Sequence, residues 1–388
     1  MVDEARAASH FTASFQKDTP MTRTLFTPFK LGKLELRNRV VMAPMTRSRS
    51  PGGVPGEDVA DYYARRAAAD VGLLVTEGTT VRRGGSSNDP NVPNFYKADA
   101  LKGWGRVVEK VHAEGGAIAP QIWHQGMVRK AGTGPNPDAP TDSPSGLTHT
   151  GKQVLPEPTT AEVDDMVLAF ADAAADAKRL GFDTLEIHGA HGYLIDQFFW
   201  DAMNKRSDRY GGGLTERASF GGDIIREIRN KVGPDFPIIL RYSQWKQQDY
   251  TARLAPTPQE LEAFLKVFVD AGVDCLHVSQ RRYWEPEFPE IDGANGLNGA
   301  GWAKKLTGLP TITVGSVGLN GDFEKSFAGE GAPQRSLDDL EVRLDKGEFD
   351  LVAVGRAVLQ DPEWAKKVKE GRFADLRDYD GKALATLY

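Results

Sequence analysis

One cysteine, Cys275, occurs in 388 residues, so no internal disulfide can form. It sits inside the apolar run V-D-C-L-H-V, where burial is expected rather than reactivity. That usage suits a reducing compartment, and a cytoplasmic location is expected. No apolar run has the length that crosses a bilayer, and the first twenty residues are too polar for a signal-peptide core, so no membrane partner is expected. No long basic run occurs either. With 54 acidic against 48 basic residues and a net charge of −6, a general nucleic-acid surface is not expected. Two nucleophile signatures are also missing. There is no serine in a G-x-S-x-G setting, and no lysine stands at the end of an expected strand as in Schiff-base barrels. Small molecules remain as partners.

What is present is an ordinary globular balance, 40% hydrophobic and 26% charged, enough to bury a large core. Residues 1–24 read as a mobile tail, with Met21 as an alternative start, and 25–388 as one domain. Leu25 to Arg39 alternates around Pro28 and Gly32 and suggests a hairpin capping the bottom of a barrel. Eight apolar runs then alternate with helical stretches: Val40 to Ala43, Val71 to Val75, Ala117 to Trp123, Thr184 to Ile187, Pro237 to Tyr242, Val273 to Val278, Pro310 to Val314 and Leu351 to Val354. Helices are expected over Glu57 to Asp70, Lys102 to Glu114, Thr160 to Leu180 with Gly181 as its stop, Leu214 to Val232, Thr257 to Gly272, Ala300 to Leu306 and Leu340 to Leu344. Strands that are apolar throughout fit parallel strands covered on both faces. Eight such units point to a (β/α)₈ TIM barrel with an N-terminal hairpin cap. An open doubly wound sheet would want G-x-G-x-x-G after the first strand, where Pro44-Met45-Thr46 stands instead.

In a barrel the residues just past the strands converge on one bowl. They are Thr46, Glu77 with Gly78, Gln121 with Trp123, His188 with His191, Arg241, Ser279, Gly315 with Ser316, and Gly355 with Arg356. The last two pairs follow the seventh and eighth strands, where barrels often bind phosphate through backbone N–H groups. T-L-E-I-H-G-A-H-G-Y, from Thr184 to Tyr193, gathers two imidazoles and a phenol where a strand ends. His-x-x-His is also a metal-ligand spacing, so catalysis, metal binding and a plain structural role all stay open for that segment. Metal binding lacks obvious further ligands, with Glu77 and His124 the spare candidates. Donors and a phosphate site without a nucleophile imply that an organic cofactor carries the chemistry.

Seven ordered motifs then resemble the Old Yellow Enzyme family of FMN-dependent ene-reductases. They are N-R-V-V-M-A-P-M-T-R, V-T-E-G, Q-I-W, E-I-H-G-A-H-G-Y-L-I-D-Q-F with R-S-D-R-Y-G-G, L-R-Y, V-G-S and V-G-R. The resemblance spans Leu25 to about Pro362 and implies no resident metal. It implies that Pro44, Met45 and Thr46 line the flavin ring, that Gly78 lets the ring approach the backbone, and that Gln121 pairs with the pyrimidine edge. Arg241 would sit at the edge where reduced flavin gathers negative charge. Gly315, Ser316, Gly355 and Arg356 would hold the FMN phosphate. His188 and His191 would clamp a carbonyl or nitro oxygen, and Tyr193 would protonate the α-carbon of an electron-poor alkene after hydride attack. Trp123, Tyr283 and Trp284 are expected to shape the substrate pocket. NAD(P)H would be the reductant in a ping-pong cycle, and the protein a monomer or homodimer. Competing readings are a zinc- or manganese-dependent barrel hydrolase and a flavin-binding barrel without turnover. The closing segment through Tyr388 matches no pattern of the family.

Overall fold

The computed structural model describes residues 23–321 and 329–388; the expected tail lies almost wholly outside them. Eight parallel strands close into a barrel: β1 (Val40–Met42), β2 (Leu73–Thr80), β3 (Ala117–Trp123), β4 (Leu185–His191), β5 (Ile238–Lys246), β6 (Cys275–Ser279), β7 (Thr311–Val314) and β8 (Leu351–Val354). β8 pairs with β1 in parallel, Val352 against Val40. Every residue of β1, β2, β6, β7 and β8 is buried, because helices cover the outside while side chains fill the inside.

An antiparallel hairpin, Phe29–Leu31 with Leu34–Leu36, precedes the barrel. Its Leu31 and Leu36 pack with Val41, Leu73, Ala119, Ile239, Cys275, Ile312 and Leu351 in one cluster. The hairpin therefore plugs the barrel at the end away from the strand C-termini. Cys275 lies within this cluster, and burial pushes its thiol pKa up, away from reactivity.

Local chemistry sets the helix ends. α1 (Thr160–Leu180) begins with a capping box: the Thr159 hydroxyl accepts from the Glu162 N–H while the Glu162 carboxylate accepts from Thr159. Gly181 closes it at φ 88°, where only glycine sits without strain. α2 (Pro258–Ala271) repeats the device with Thr257, Glu260 and Gly272. Some expected bounds change. The helix expected over Leu214 to Val232 is two pieces, Leu214–Arg217 and Ser219–Val232, with Arg217 turned to donate to the Phe199 and Gly212 carbonyls. The second strand runs on past Val75 to Thr80, through an irregularity between Val75 and Gly78.

Candidate active site

The strand C-termini open on a cavity of about 450 Å³, within the size range of small-molecule sites. Pro44, Met45, Thr46, Gly78, Gln121, Trp123, His188, His191, Tyr193, Arg241, Gly315, Ser316, Gly355 and Arg356 all line it. Tyr283 and Trp284 do not. Tyr283 is fully buried, its N–H donating to Gly315 and its carbonyl accepting from Asn298 Nδ2, and the Trp284 ring faces Arg335 at 3.8 Å. That aromatic loop packs against the barrel shell instead of shaping the pocket.

The floor is a chain of buried polar groups. Gln121 Nε2 donates to Glu186 Oε1 at 2.8 Å, and Glu186 Oε2 meets His277 Nδ1 at 2.6 Å. Burial raises the Glu186 carboxyl pKa, but His277, Arg241 and Gln121 outweigh it, so the group is held below its usual value and ionised. The amide of Gln121 is thereby fixed in orientation. The loop after β1 is held from beneath: the Glu77 carboxylate accepts from the N–H groups of Arg47 at 2.8 Å and Ser48 at 3.0 Å. Burial pushes the Glu77 carboxyl up to about 7 despite those bonds. Gly78 lies close under Trp123: a Cβ there would come within 3.2 Å of the Trp123 ring, which would have to shift by a few tenths of an ångström.

On the facing side, β4 ends in a knot of rings. His188 Nδ1 accepts from the Ala190 N–H at 3.3 Å, so its proton is on Nε2. His191 takes a left-handed φ of 64°, its N–H donates to Ser243 Oγ at 3.0 Å, and its Nε2 pairs with Ser279 Oγ at 2.7 Å. The two imidazoles meet edge to face at 5.1 Å, and Tyr193 stands edge to face with His188 at 5.0 Å and with Trp123 at 5.2 Å. Burial first, then the Arg241 charge, lowers both imidazole pKa values well below normal, so both rings are neutral N–H donors at pH 7. Burial raises the Tyr193 hydroxyl pKa against the Gln247 hydrogen bond that lowers it, which keeps the phenol protonated.

Arg241 pairs in register with His188 across β4 and β5 and is 7% exposed. It donates one Nη2 bond to Ser279 Oγ at 3.3 Å, while its Nε has no partner among the described residues. Burial lowers its pKa and Glu186 raises it; a guanidinium nonetheless stays charged. At another part of the wall Arg356 Nη2 donates to Ser316 Oγ at 3.1 Å and to the Gly321 carbonyl at 2.6 Å. Gly315 beside it has φ 138°, and a Cβ there would press within 2.7 Å of the Gln280 carbonyl.

The cavity has members that strand ends did not foretell. Trp245 stacks on His191 at 4.8 Å and donates Nε1 to the Ser279 carbonyl at 3.0 Å, while Gln247 reaches the Tyr193 hydroxyl. Both line the cavity because β5 runs to Lys246, four residues past the expected end. Tyr379 and Leu384, from the closing segment, line it as well. His188 and His191 gain no metal partners: no group of three or more His, Cys, Asp or Glu side chains able to hold a metal occurs among the described residues. Among those residues no helix is long and apolar enough to cross a membrane.

A profile of the NADH:flavin oxidoreductase / NADH oxidase family matches residues 24–375. The chain is 35% identical over 363 residues to an NADH oxidase of Thermoanaerobacter brockii, covering 91% of this chain and 52% of that protein, so it spans about half its length. It is 39% identical over 373 residues to 12-oxophytodienoate reductase 1 of Oryza sativa subsp. japonica, covering 93% and 90% of the two chains. Among solved structures, morphinone reductase in complex with tetrahydroNAD superposes with a TM-score of 0.75 at 28% identity over 93% of each chain.

Proposed function

Because the chain belongs to the NADH:flavin oxidoreductase / NADH oxidase family, the family of Old Yellow Enzyme, and so is an FMN enzyme of NAD(P)H oxidoreduction, we propose that it reduces the activated C=C bond of α,β-unsaturated carbonyl or nitro compounds. The observation that carries this reading is the joint placement of two neutral imidazole donors and a protonated phenol on one wall of a cavity that also holds a buried arginine.

The residues fit FMN. Arg241 keeps a buried Nε–H at the cavity with no partner among the described residues, which suits the anionic edge of a flavin ring. Gly315 leaves the backbone bare where a Cβ would collide, and Gly78 where a Cβ would crowd the Trp123 ring. Pro44, Met45, Thr46, Gly78 and Gln121 would hold the ring, and Gly315, Ser316, Gly355 and Arg356 the phosphate. Bound there, FMN supplies the hydride carrier that no side chain provides.

The chain's own groups do the rest. N–H groups of His188 and His191 hold the carbonyl or nitro oxygen, drawing electron density away from the β-carbon. Being neutral, they offer donors without releasing a proton to the oxygen. Tyr193 gives its hydroxyl proton to the α-carbon, and Gln247 keeps that hydroxyl in place. Arg241 offsets the charge gathered at the cofactor's edge, and the Gln121–Glu186–His277 chain keeps its surroundings rigid. Trp123, against Tyr193, and Trp245, stacked on His191, wall the same cavity.

Nicotinamide and alkene both need this one face, so they take turns. Initial rates at varied NADPH and 2-cyclohexenone are expected to give parallel double-reciprocal lines. Intersecting lines would show both substrates bound together and contradict the shared pocket.

A further inference from the structure

One wall of the cavity comes from outside the eight strand ends. Tyr379 sits in the closing segment, held by two backbone hydrogen bonds to Ala332, each 2.9 Å. The segment beyond it is pinned by Arg47, whose Nη2 donates to the carbonyls of Ala383 at 3.4 Å, Leu384 at 3.2 Å and Thr386 at 2.6 Å. Tyr379 is only 2% exposed and lines the cavity, yet its hydroxyl finds no hydrogen-bond partner among the described residues. A buried phenol O–H that bonds nothing is costly, and a native fold retains one where a ligand supplies the acceptor.

The neighbours say which part of a ligand that is. The Arg356 guanidinium lies 5.6 Å from the centre of the Tyr379 ring, and the same guanidinium holds Ser316 Oγ and the Gly321 carbonyl. Tyr379 therefore belongs to the end of the cavity built from Gly315, Ser316, Gly355 and Arg356. A phosphate dianion there presents three strong acceptor oxygens, more than one guanidinium satisfies. We propose that the Tyr379 hydroxyl donates a hydrogen bond to the FMN phosphate, making this residue a further cofactor ligand. The inference rests on the phosphate placement given above. Burial raises the Tyr379 pKa while Arg356 and Arg47 lower it; with the net shift upward, the hydroxyl is a neutral donor.

The test separates FMN from riboflavin, which lacks only the phosphate. Dissociation constants of both are measured on the full chain by flavin fluorescence, for wild type, Tyr379→Phe and Arg356→Ala. Tyr379→Phe keeps the ring and removes one oxygen. FMN binding is expected to weaken about tenfold or more, the size of a hydrogen bond to a charged group, with riboflavin binding unchanged. Unchanged FMN affinity, or equal weakening of both flavins, overturns the assignment. If Arg356→Ala lowers the preference for FMN and Tyr379→Phe does not, only Tyr379 is wrong; if neither lowers it, the phosphate placement fails too. The flavin-free Tyr379→Phe protein should melt no lower than wild type. A lower midpoint would mean that the hydroxyl already has a partner in the protein, and would likewise overturn the proposal.

Discussion

Alkene reduction by the Tyr193→Phe variant is expected to run ~10²–10⁴-fold slower than wild type, the usual worth of a positioned general acid. Its reduction by NADPH should keep a near-normal rate, because in the proposed cycle the α-carbon needs a proton only in the second half. Phe keeps the edge-to-face contacts that the Tyr193 ring makes with His188 and Trp123, so the pocket's shape survives the change. Rapid-mixing measurements of the two half-reactions, each followed by flavin absorbance, separate the effects. Equal slowing of both would remove Tyr193 from the role of acid and make it a packing residue.

A larger loss of stability is expected at a pair that touches no substrate. Lys246 Nζ lies 2.6 Å from Asp196 Oδ1, with both side chains fully buried. Asp196 Oδ2 accepts from the Gly192 N–H at 2.7 Å, and Gly192 stands between His191 and Tyr193 at φ 74°. The pair thus anchors the turn that presents all three rings. Lys246→Met removes the cation and leaves a buried carboxylate without its counter-ion, a loss of ~3–5 kcal/mol for broken buried pairs. Urea unfolding of the FMN-loaded protein should show a loss of that order, and adding Asp196→Asn should recover part of it. A loss below about 1 kcal/mol, the worth of an exposed ion pair, would contradict the anchoring role.

The sequence makes the barrel legible for a physical reason. Parallel strands covered on both faces must be apolar along their length, and each such run stands out between helices with readable caps such as Thr159 with Glu162. The polar residues that follow those runs are carried by strand ends, so His188, Arg241 and Arg356 meet in one cavity as the order of motifs implies. Less legible are groups whose position depends on contacts far along the chain. β5 continues past Tyr242 through S-Q-W-K, a mostly polar stretch that marks no strand by itself, and this carries Trp245 and Gln247 to the site. Tyr379 reaches the cavity only because its backbone pairs with Ala332, 47 residues earlier by numbering. The aromatic loop misled in the opposite sense: Tyr283 and Trp284 follow a strand end, but Asn298 and Arg335 draw them onto the outer shell. R-S-D-R-Y-G-G behaves as the brace its composition suggests, Arg206 binding Asp208 and the carbonyls of Pro144 and Pro158 to fasten the long loop between β3 and α1.

The central claim is that one flavin pocket serves both nicotinamide and alkene. It is tested most directly by the absorption spectrum of the purified protein under nitrogen. A flavin band should bleach when NADPH is added, and return when 2-cyclohexenone is added after the NADPH is exhausted. A colourless protein, or a yellow one whose band NADPH leaves intact, or one that bleaches and is not restored by any activated alkene, would contradict it.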